Sequence, residues 1–405
     1  MIYLYRLTMC FTSTEKLLKT TEQLNKAAFS DFDITFHPSI NDIATSIPPQ
    51  YNTFLERDFL FTLEEKPPLG YQFCYVLIKK QGDFVGFMPF QMMHFKAIDS
   101  LNFNKTSNPI SVYLKKWLAR KVEFKTLIVG NLILTGENSY QFEDKIEQKT
   151  KENIILKSID FVIQKWAERS VFIQSIFIKD FYFAQNHLNT EGYNQFRVEP
   201  NFIFDIKLEW ANFEDYLEAL SSKYRIRAKR AFKKINGVEI KEFNEERILA
   251  NQLNINRLYQ SIRSKSAFNM VDLNADYFLQ LKRNMGDKFH LWGCFKDGKL
   301  ISFFTLIENY KHLDAHYLGY EEAPNTEHQL YLNMLFEMIR FGIDNRFEKI
   351  NFGRTAHEIK SSVGAQAHEM YLYLKNKNSV INRLLPYALN ILSPREVWQA
   401  RQPFK

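Results

Sequence analysis

Cysteine and long apolar runs are scarce in this 405-residue chain, and glycine is sparse for its length. Its three cysteines, Cys10, Cys74 and Cys294, stand far apart with no short spacing between them. That excludes a disulfide framework and a thiolate zinc site, and it fits a reducing compartment. No stretch approaches the ~18 apolar residues of a transmembrane helix; Leu384 to Leu392 is too short to span. The first residues, MIYLYRLTMCFTS, are broken by Arg6 and lack the apolar core and small-residue cleavage site of a signal peptide. The expectation is a cytoplasmic chain, peripheral to the inner membrane at most. Glycine numbers 14 against 37 phenylalanines. So much aromatic material can fill cores and line an apolar pocket, although an AT-rich gene explains it more simply. Hydrophobic residues at 45% and charged residues at 24% exclude disordered and fibrous chains. With 53 basic and 46 acidic residues the net charge is +7, which suits an anionic partner without identifying it.

What is present is a weak internal echo. Residues 73–93 read as two strands about a turn at Gln81-Gly82-Asp83, and residues 289–307 as two strands about Asp297-Gly298. Each hairpin precedes a long helical pattern (Lys145–Arg169 and Glu327–Asn345) and a further strand (171–178 and 348–353). Two copies of one α/β unit account for this, with a join expected near Glu199-Pro200 because proline disfavours continuation of a regular element. The organisation expected is therefore residues 1–199, 200–376 and a C-terminal helix and tail over 377–405. In the second copy a helix is predicted over Phe213–Ile235, ended by Asn236-Gly237. Two more follow over about 245–264 and 275–285, and then strands Leu313–Tyr320 and Glu369–Leu374 flank the rest. Helices alternating with strands around an antiparallel hairpin predict an α/β mixed sheet covered on both faces.

Two phrases carry a family resemblance. Phe213-Glu214-Asp215-Tyr216-Leu217 leads into Leu220-Ser221-Ser222-Lys223-Tyr224-Arg225. About 130 residues on stands Asn351-Phe352-Gly353-Arg354-Thr355, then His357-Glu358-x-Lys360 and Gly364. With the element order, these resemble the GNAT N-acyltransferase fold in its tandem-domain, Fem-like branch. That branch holds peptidoglycan aminoacyltransferases and related bacterial lipid N-acyltransferases. The resemblance implies two GNAT-like domains, the first degenerate. It implies acyl transfer from acyl-CoA or an acyl carrier protein, acting as co-substrate and not as a bound cofactor, to a primary amine.

The candidate residues follow. Between Ser221 and Lys234 stand seven cations and no acid. Lys223, Arg227, Arg230 and Lys234 recur at helical spacing, a stripe suited to donor phosphates or an anionic membrane surface. A solvated helix face is the plainer account. Alternation puts His312, Asp314, His316, Leu318 and Tyr320 on one strand face, where Asp314 or His316 can serve as the base an attacking amine needs. Hydrogen-bonded polar residues at a sheet end are the bland alternative. The H-x-x-x-H spacing on a strand is no zinc motif, so no metal is expected. In GNAT enzymes the strand-to-helix junction, here 321–327, cradles coenzyme A pyrophosphate; Asn325 and Thr326 are the candidates, or simple N-caps. Its usual glycines are missing and Glu321-Glu322 repel phosphate, which turns the expectation toward an acidic carrier protein. Arg354, His357 and Lys360 are candidate contacts to an acceptor head group. Glu358 is a second candidate base, and Tyr331 a proton donor to the leaving thiolate or else a core residue.

His37 with Asp42 matches H-x-x-x-x-D but lacks the second block of O-acyltransferases, and Gly130 to Gly136 is not a phosphate loop. Long-chain acyl transfer to an amino-lipid is the first reading. Fem-type aminoacyl transfer is the second, weakened because 245–264 leaves no room for a helical arm. A non-catalytic, basic-helix scaffold binding nucleic acid is the third, and nucleic acid is not the expected partner. The tail from Leu384 to Lys405 mixes apolar and basic residues and suits a membrane interface or packing over the domain join.

Overall fold

A single mixed sheet carries the chain in a computed structural model that describes residues 26–29, 31–43, 46–48, 52–100, 113, 116–117, 120, 123–265, 269–392 and 398–405. The expectations about Cys10 and the first thirteen residues lie outside the described residues. The strands in chain order are β1 (Lys26–Phe29), β2 (Phe32–His37), β3 (Tyr71–Lys80), β4 (Asp83–Lys96), β5 (Glu123–Val129), β6 (Gln141–Phe142) and β7 (Ser175–Phe181). They continue as β8 (Asn194–Asp205), β9 (Glu239–Glu242), β10 (Phe289–Lys296), β11 (Lys299–Asn309), β12 (His312–Tyr320), β13 (Lys349–Gly353) and β14 (Gln366–Asn376). Their order across the sheet is β1-β2-β3-β4-β5-β7-β14-β8-β13-β12-β11-β10-β9, with β6 against β4.

The echo read from the sequence is a structural repeat. Hairpins β3–β4 and β10–β11 turn on Gln81-Gly82 (φ 53° and 93°) and Asp297-Gly298 (φ 49° and 76°). Two consecutive left-handed residues match the right-handed twist of the strands they join. In the first half β5, helix Gln148–Glu168 and β7 follow, and β5 runs parallel to β7. In the second half β12, helix Leu330–Asp344 and β13 follow, again with a parallel pair.

The expected join falls inside a strand. Strand β8 runs straight through Glu199-Pro200. Proline is tolerated there because the pairing with β14 shifts register between His368 and Met370, a bulge at which a missing N–H costs no ladder bond. β14, the last strand of the second half, pairs with β7 of the first, while β8 pairs with β13 of the second. Each half is thus completed by the closing strand of the other.

The cores agree with this exchange. One cluster joins Tyr75, Leu77 and Phe87 of the first hairpin to Leu291, Phe303 and Ile307 of the second, under helices Arg57–Glu65, Glu245–Arg263 and Tyr277–Met285. The other face carries one core per half, around helices Gln148–Glu168 and Leu330–Asp344. Two further differences matter for the site. The helix predicted over 213–235 is two, Phe213–Ala219 and Ser222–Lys234, because Leu220 is extended (φ −63°, ψ 141°) and bridges Phe404 of the tail. The helix predicted from 327 starts at Leu330, after a short helix Glu322–His328 and a left-handed Gln329.

A shared core and exchanged strands predict one cooperative unit. Residues 1–199 and 200–405 produced separately should show no cooperative thermal transition by circular dichroism, while the whole chain shows one. A cooperatively melting 200–405 fragment would contradict the exchange.

Candidate active site

β12 and β13 pair in parallel only as far as Asp314 opposite Asn351, and β12 then continues to Tyr320 without that partner. The parting strands open a pocket of about 290 Å³. Its walls are Asp314–Tyr317 and Asn351–Arg354 of the second half, and Phe54, Leu132–Thr135 and Lys179 of the first. The loop after β5 therefore fills part of the cleft that the second half opens.

Asp314 is 8% exposed. Asn351 Nδ2 donates to its Oδ1 at 2.7 Å and Asn309 Nδ2 to its Oδ2 at 3.4 Å. Burial pushes its carboxyl up to about 7, the two amide bonds opposing that rise. Asn351 also donates to Thr135 O at 3.2 Å and accepts from Gly353 N–H at 3.0 Å, so it ties the carboxylate to both halves. His316 shares a 2.7 Å hydrogen bond through Nε2 with Tyr277 OH, and burial lowers its pKa to about 3, leaving a neutral ring. The expected alternation breaks here, because the β11–β12 register shifts between Phe304 and Leu306 and sets Thr305 opposite both His316 and Tyr317.

A second charged group reaches the same pocket through Lys179 and Arg354. Asp180, 1% exposed, pairs with Lys179 at 3.0 Å and with Arg354, and accepts from Gly136 N–H at 3.2 Å. Lys179 Nζ also donates to Leu134 O at 2.7 Å, and burial lowers its pKa to about 8. Arg354 leaves β13 on a turn in which Gly353, Thr355 and Ala356 all have positive φ (69°, 65° and 52°). A β-branched residue in that region is strained. Lys360, 3% exposed, braces the turn by donating to Gly353 O at 3.1 Å and to Arg354 O. Its desolvation brings the ammonium pKa down to about 7.

Of the residues expected from the sequence, Asp314, His316 and Arg354 line this pocket, with Lys360 behind Arg354. The others stand elsewhere. His357 is buried between Phe202 and Trp398 with neither ring nitrogen bonded. Glu358 is exposed on the far side of its helix and paired with Arg401 at 2.8 Å, a bond that holds its carboxyl below the ordinary range. Tyr331 packs edge-on against Tyr320, and burial raises its phenol. Asn325 caps that helix, accepting from Tyr331 N–H at 2.9 Å, while Thr326 donates to Glu322 O within its own short helix. Glu321 is engaged by Arg257 and Lys299.

Lys223, Arg227 and Arg230 are exposed on helix Ser222–Lys234, and none of that helix's seven cations pairs with a carboxylate among the described residues. The helix ends beside the same junction, for His328 bonds Lys234 O and Asn333 bonds Ala231 O. Lys179 and Asp180 were not singled out from the sequence, and Asn351 entered only as the first residue of a family-like phrase. The signal was a Lys-Asp pair inside the apolar strand Ser175–Phe181, where charge has no reason to be buried unless paired.

The mixed α/β fold with its tandem repeat is that of the Fem-like, GNAT-type acyltransferases. The profile of the FemAB-like family, described as peptidoglycan biosynthesis/recognition, matches residues 135–379, and the chain belongs to that family. Among solved structures, FemX superposes with a TM-score of 0.51 at 11% identity, covering 89% of this chain and 99% of its own, a likeness of fold. A tandem GNAT protein from the clavulanic acid biosynthesis pathway gives 0.48 at 9% identity over 85% and 98% of the two chains. L-PGS from Bacillus licheniformis gives 0.42 at 12% over 83% and 95%. No curated protein sequence matches.

Two outcomes test this geometry. Asp314 holds its proton more tightly folded (about 7) than unfolded (3.8), so it favours folding at low pH, and that contribution is lost as pH rises through about 7. Asp314→Asn should flatten the pH dependence of the melting temperature between pH 4 and 8; an unchanged profile would place the titration elsewhere. Neutralising Lys223, Arg227 and Arg230 together should weaken coenzyme A binding in calorimetry on the order of tenfold at low salt, with the difference shrinking at high salt. Equal affinities would leave the stripe a solvated face.

Proposed function

We propose that the pocket transfers an acyl group from a carrier thioester to a primary amine, probing the acceptor with residues of both halves. The observation that carries this reading is Asp314, a buried carboxyl poised at about 7 where the strands part. A base of that pKa is partly ionised at neutral pH and still basic enough to take an ammonium proton. In the step proposed, the Asp314 carboxylate removes the proton and the amine nitrogen attacks the thioester carbon. Backbone amides support the oxyanion, the C–N bond forms, and the C–S bond breaks as the nitrogen's second proton passes to the thiolate, while Asp314 releases the first to solvent. Arg354 and Lys179 offer positive charge to an acceptor's anionic head group. The exposed cations of helix Ser222–Lys234 offer the same to the donor's phosphates, acyl-CoA being the donor of choice. An amino-lipid is the acceptor favoured, reached from a membrane surface; among the described residues no helix is long and apolar enough to cross a membrane.

The family description favours a second reading, aminoacyl transfer to a cell-wall peptide. Against it, helix Glu245–Arg263 is a single helix and not a coiled-coil arm.

The deciding experiment incubates the protein with a panel of acyl-CoAs, carrier-bound acyl groups and aminoacyl-tRNAs and a panel of amines, and seeks the amide by mass spectrometry. The expected result is a lipid amide whose rate rises through pH 7 and falls about 10²–10⁴-fold in Asp314→Asn. A peptide product would select the second reading. No product, or an undiminished rate in the variant, would reject the mechanism.

A further inference from the structure

The C-terminal segment, which the sequence presents as one apolar and basic tail, divides into two parts with different surroundings. In Trp398 to Lys405 the aromatic residues and Arg401 are engaged with the body of the protein. Trp398 lies against Phe202 and His357, Arg401 pairs with Glu358, and Phe404 fits between Trp210 and Tyr216. Among the described residues, helix Ser379–Leu392 is held from one side only. Asn382 accepts from Asn194 Nδ2 and Asn376 N–H and donates to Gly192 O, and Leu385 is buried beside it.

Away from those bonds, Val380, Ile381, Leu384 and Tyr387 are between 45% and 70% exposed. Spacings of one, three and three residues put them on one stripe of the helix. Phe172, equally exposed, stands two residues before Gln174, whose carbonyl accepts the Lys377 N–H at the helix entrance. From Met370 to Leu392 the chain carries Lys375, Lys377 and Arg383 and no acid. Lys377 and Arg383 are exposed, while Lys375 reaches back to Glu191 O.

We propose that this helix docks the protein on the surface of an anionic lipid bilayer, with Val380, Ile381, Leu384 and Tyr387 entering the headgroup–acyl boundary and Arg383 and Lys377 meeting lipid phosphates. An apolar stripe bordered by cations is what an interfacial helix requires. Charge selects this occupant over a second copy of the chain. A symmetric pairing of two stripes would set Arg383 and Lys377 of both copies together in chains of net charge +7, whereas anionic headgroups neutralise them. The proposal goes beyond the acyl-transfer reading and leans on it only for the consequence that a lipid amine could be taken from the same surface.

Sedimentation of the full-length protein with extruded vesicles tests it, comparing equimolar phosphatidylcholine and phosphatidylglycerol with phosphatidylcholine alone. Wild type should pellet with the anionic vesicles and much less with the neutral ones. Leu384→Glu combined with Tyr387→Glu should lower the vesicle partition coefficient at least tenfold, and Arg383→Gln should lower it for anionic vesicles alone. These side chains are exposed, so near-ultraviolet circular dichroism should stay unchanged. Failure of wild type to bind either vesicle, or equal partition of wild type and the double variant, overturns the proposal. So does a concentration-dependent dimer that the double variant abolishes, because the stripe is then an interface between copies. Binding is read without donor or acceptor, so a failed amide assay leaves this result intact, and the reverse also holds.

Discussion

A buried carboxylate holds the two halves of this protein to one geometry. Asp180 is 1% exposed and would be prohibitively costly there without partners. It has Lys179 from its own strand, Arg354 from the other half and the N–H of Gly136 from the intervening loop. Removing any one leaves an uncompensated charge in a low-dielectric interior, so the three segments are obliged to meet. The pocket lies where they do. The same demand explains why Asp180 itself tolerates a left-handed backbone (φ 57°), a conformation unfavourable for most side chains.

The exchange of closing strands supplies the frame for that cluster. Because β14 completes the first half and β8 the second, neither can move without stretching the other's sheet. The turn from Gly353 to Ala356 is strained, and its strain is held by Lys360 beneath and by Arg354 above. Asp314 is held in turn by Asn351, which also bonds the loop from the first half. A carboxyl raised to about 7 and a lysine lowered to about 8 in one pocket are the mark of groups kept poised by burial.

Much of the fold was legible from the chain. Both hairpins announce themselves through turns whose residues tolerate positive φ, and both long helices through their apolar period. The two Fem-like phrases fall within residues 135–379, the span that matches the family. Asp314, His316 and Arg354 were reachable because a polar residue on a strand otherwise apolar, or just past a strand end, is conspicuous. Lys179 and Asp180 are conspicuous in the same way, but what they do depends on a partner 174 positions away in the sequence. Glu358 and His357 sit within four residues of Arg354 yet face outward and into an aromatic sandwich, for on so short a helix each step turns the side chain by about 100°.

Local chemistry alone determined the mixed α/β class, the tandem repeat and the basic helix, because these rest on periodicity, turn preference and charge counted along the chain, while the Fem-like kinship rested on two short phrases. Tertiary structure decided the rest. It carried β8 unbroken through Glu199-Pro200, where a bulge makes proline harmless. It built one pocket from two halves, and it separated a tail of uniform composition into a packed end and an exposed helix. Those outcomes depend on which strand lies beside which, and no stretch of sequence contains that information, because each pairing is set by surfaces contributed from distant parts of the chain.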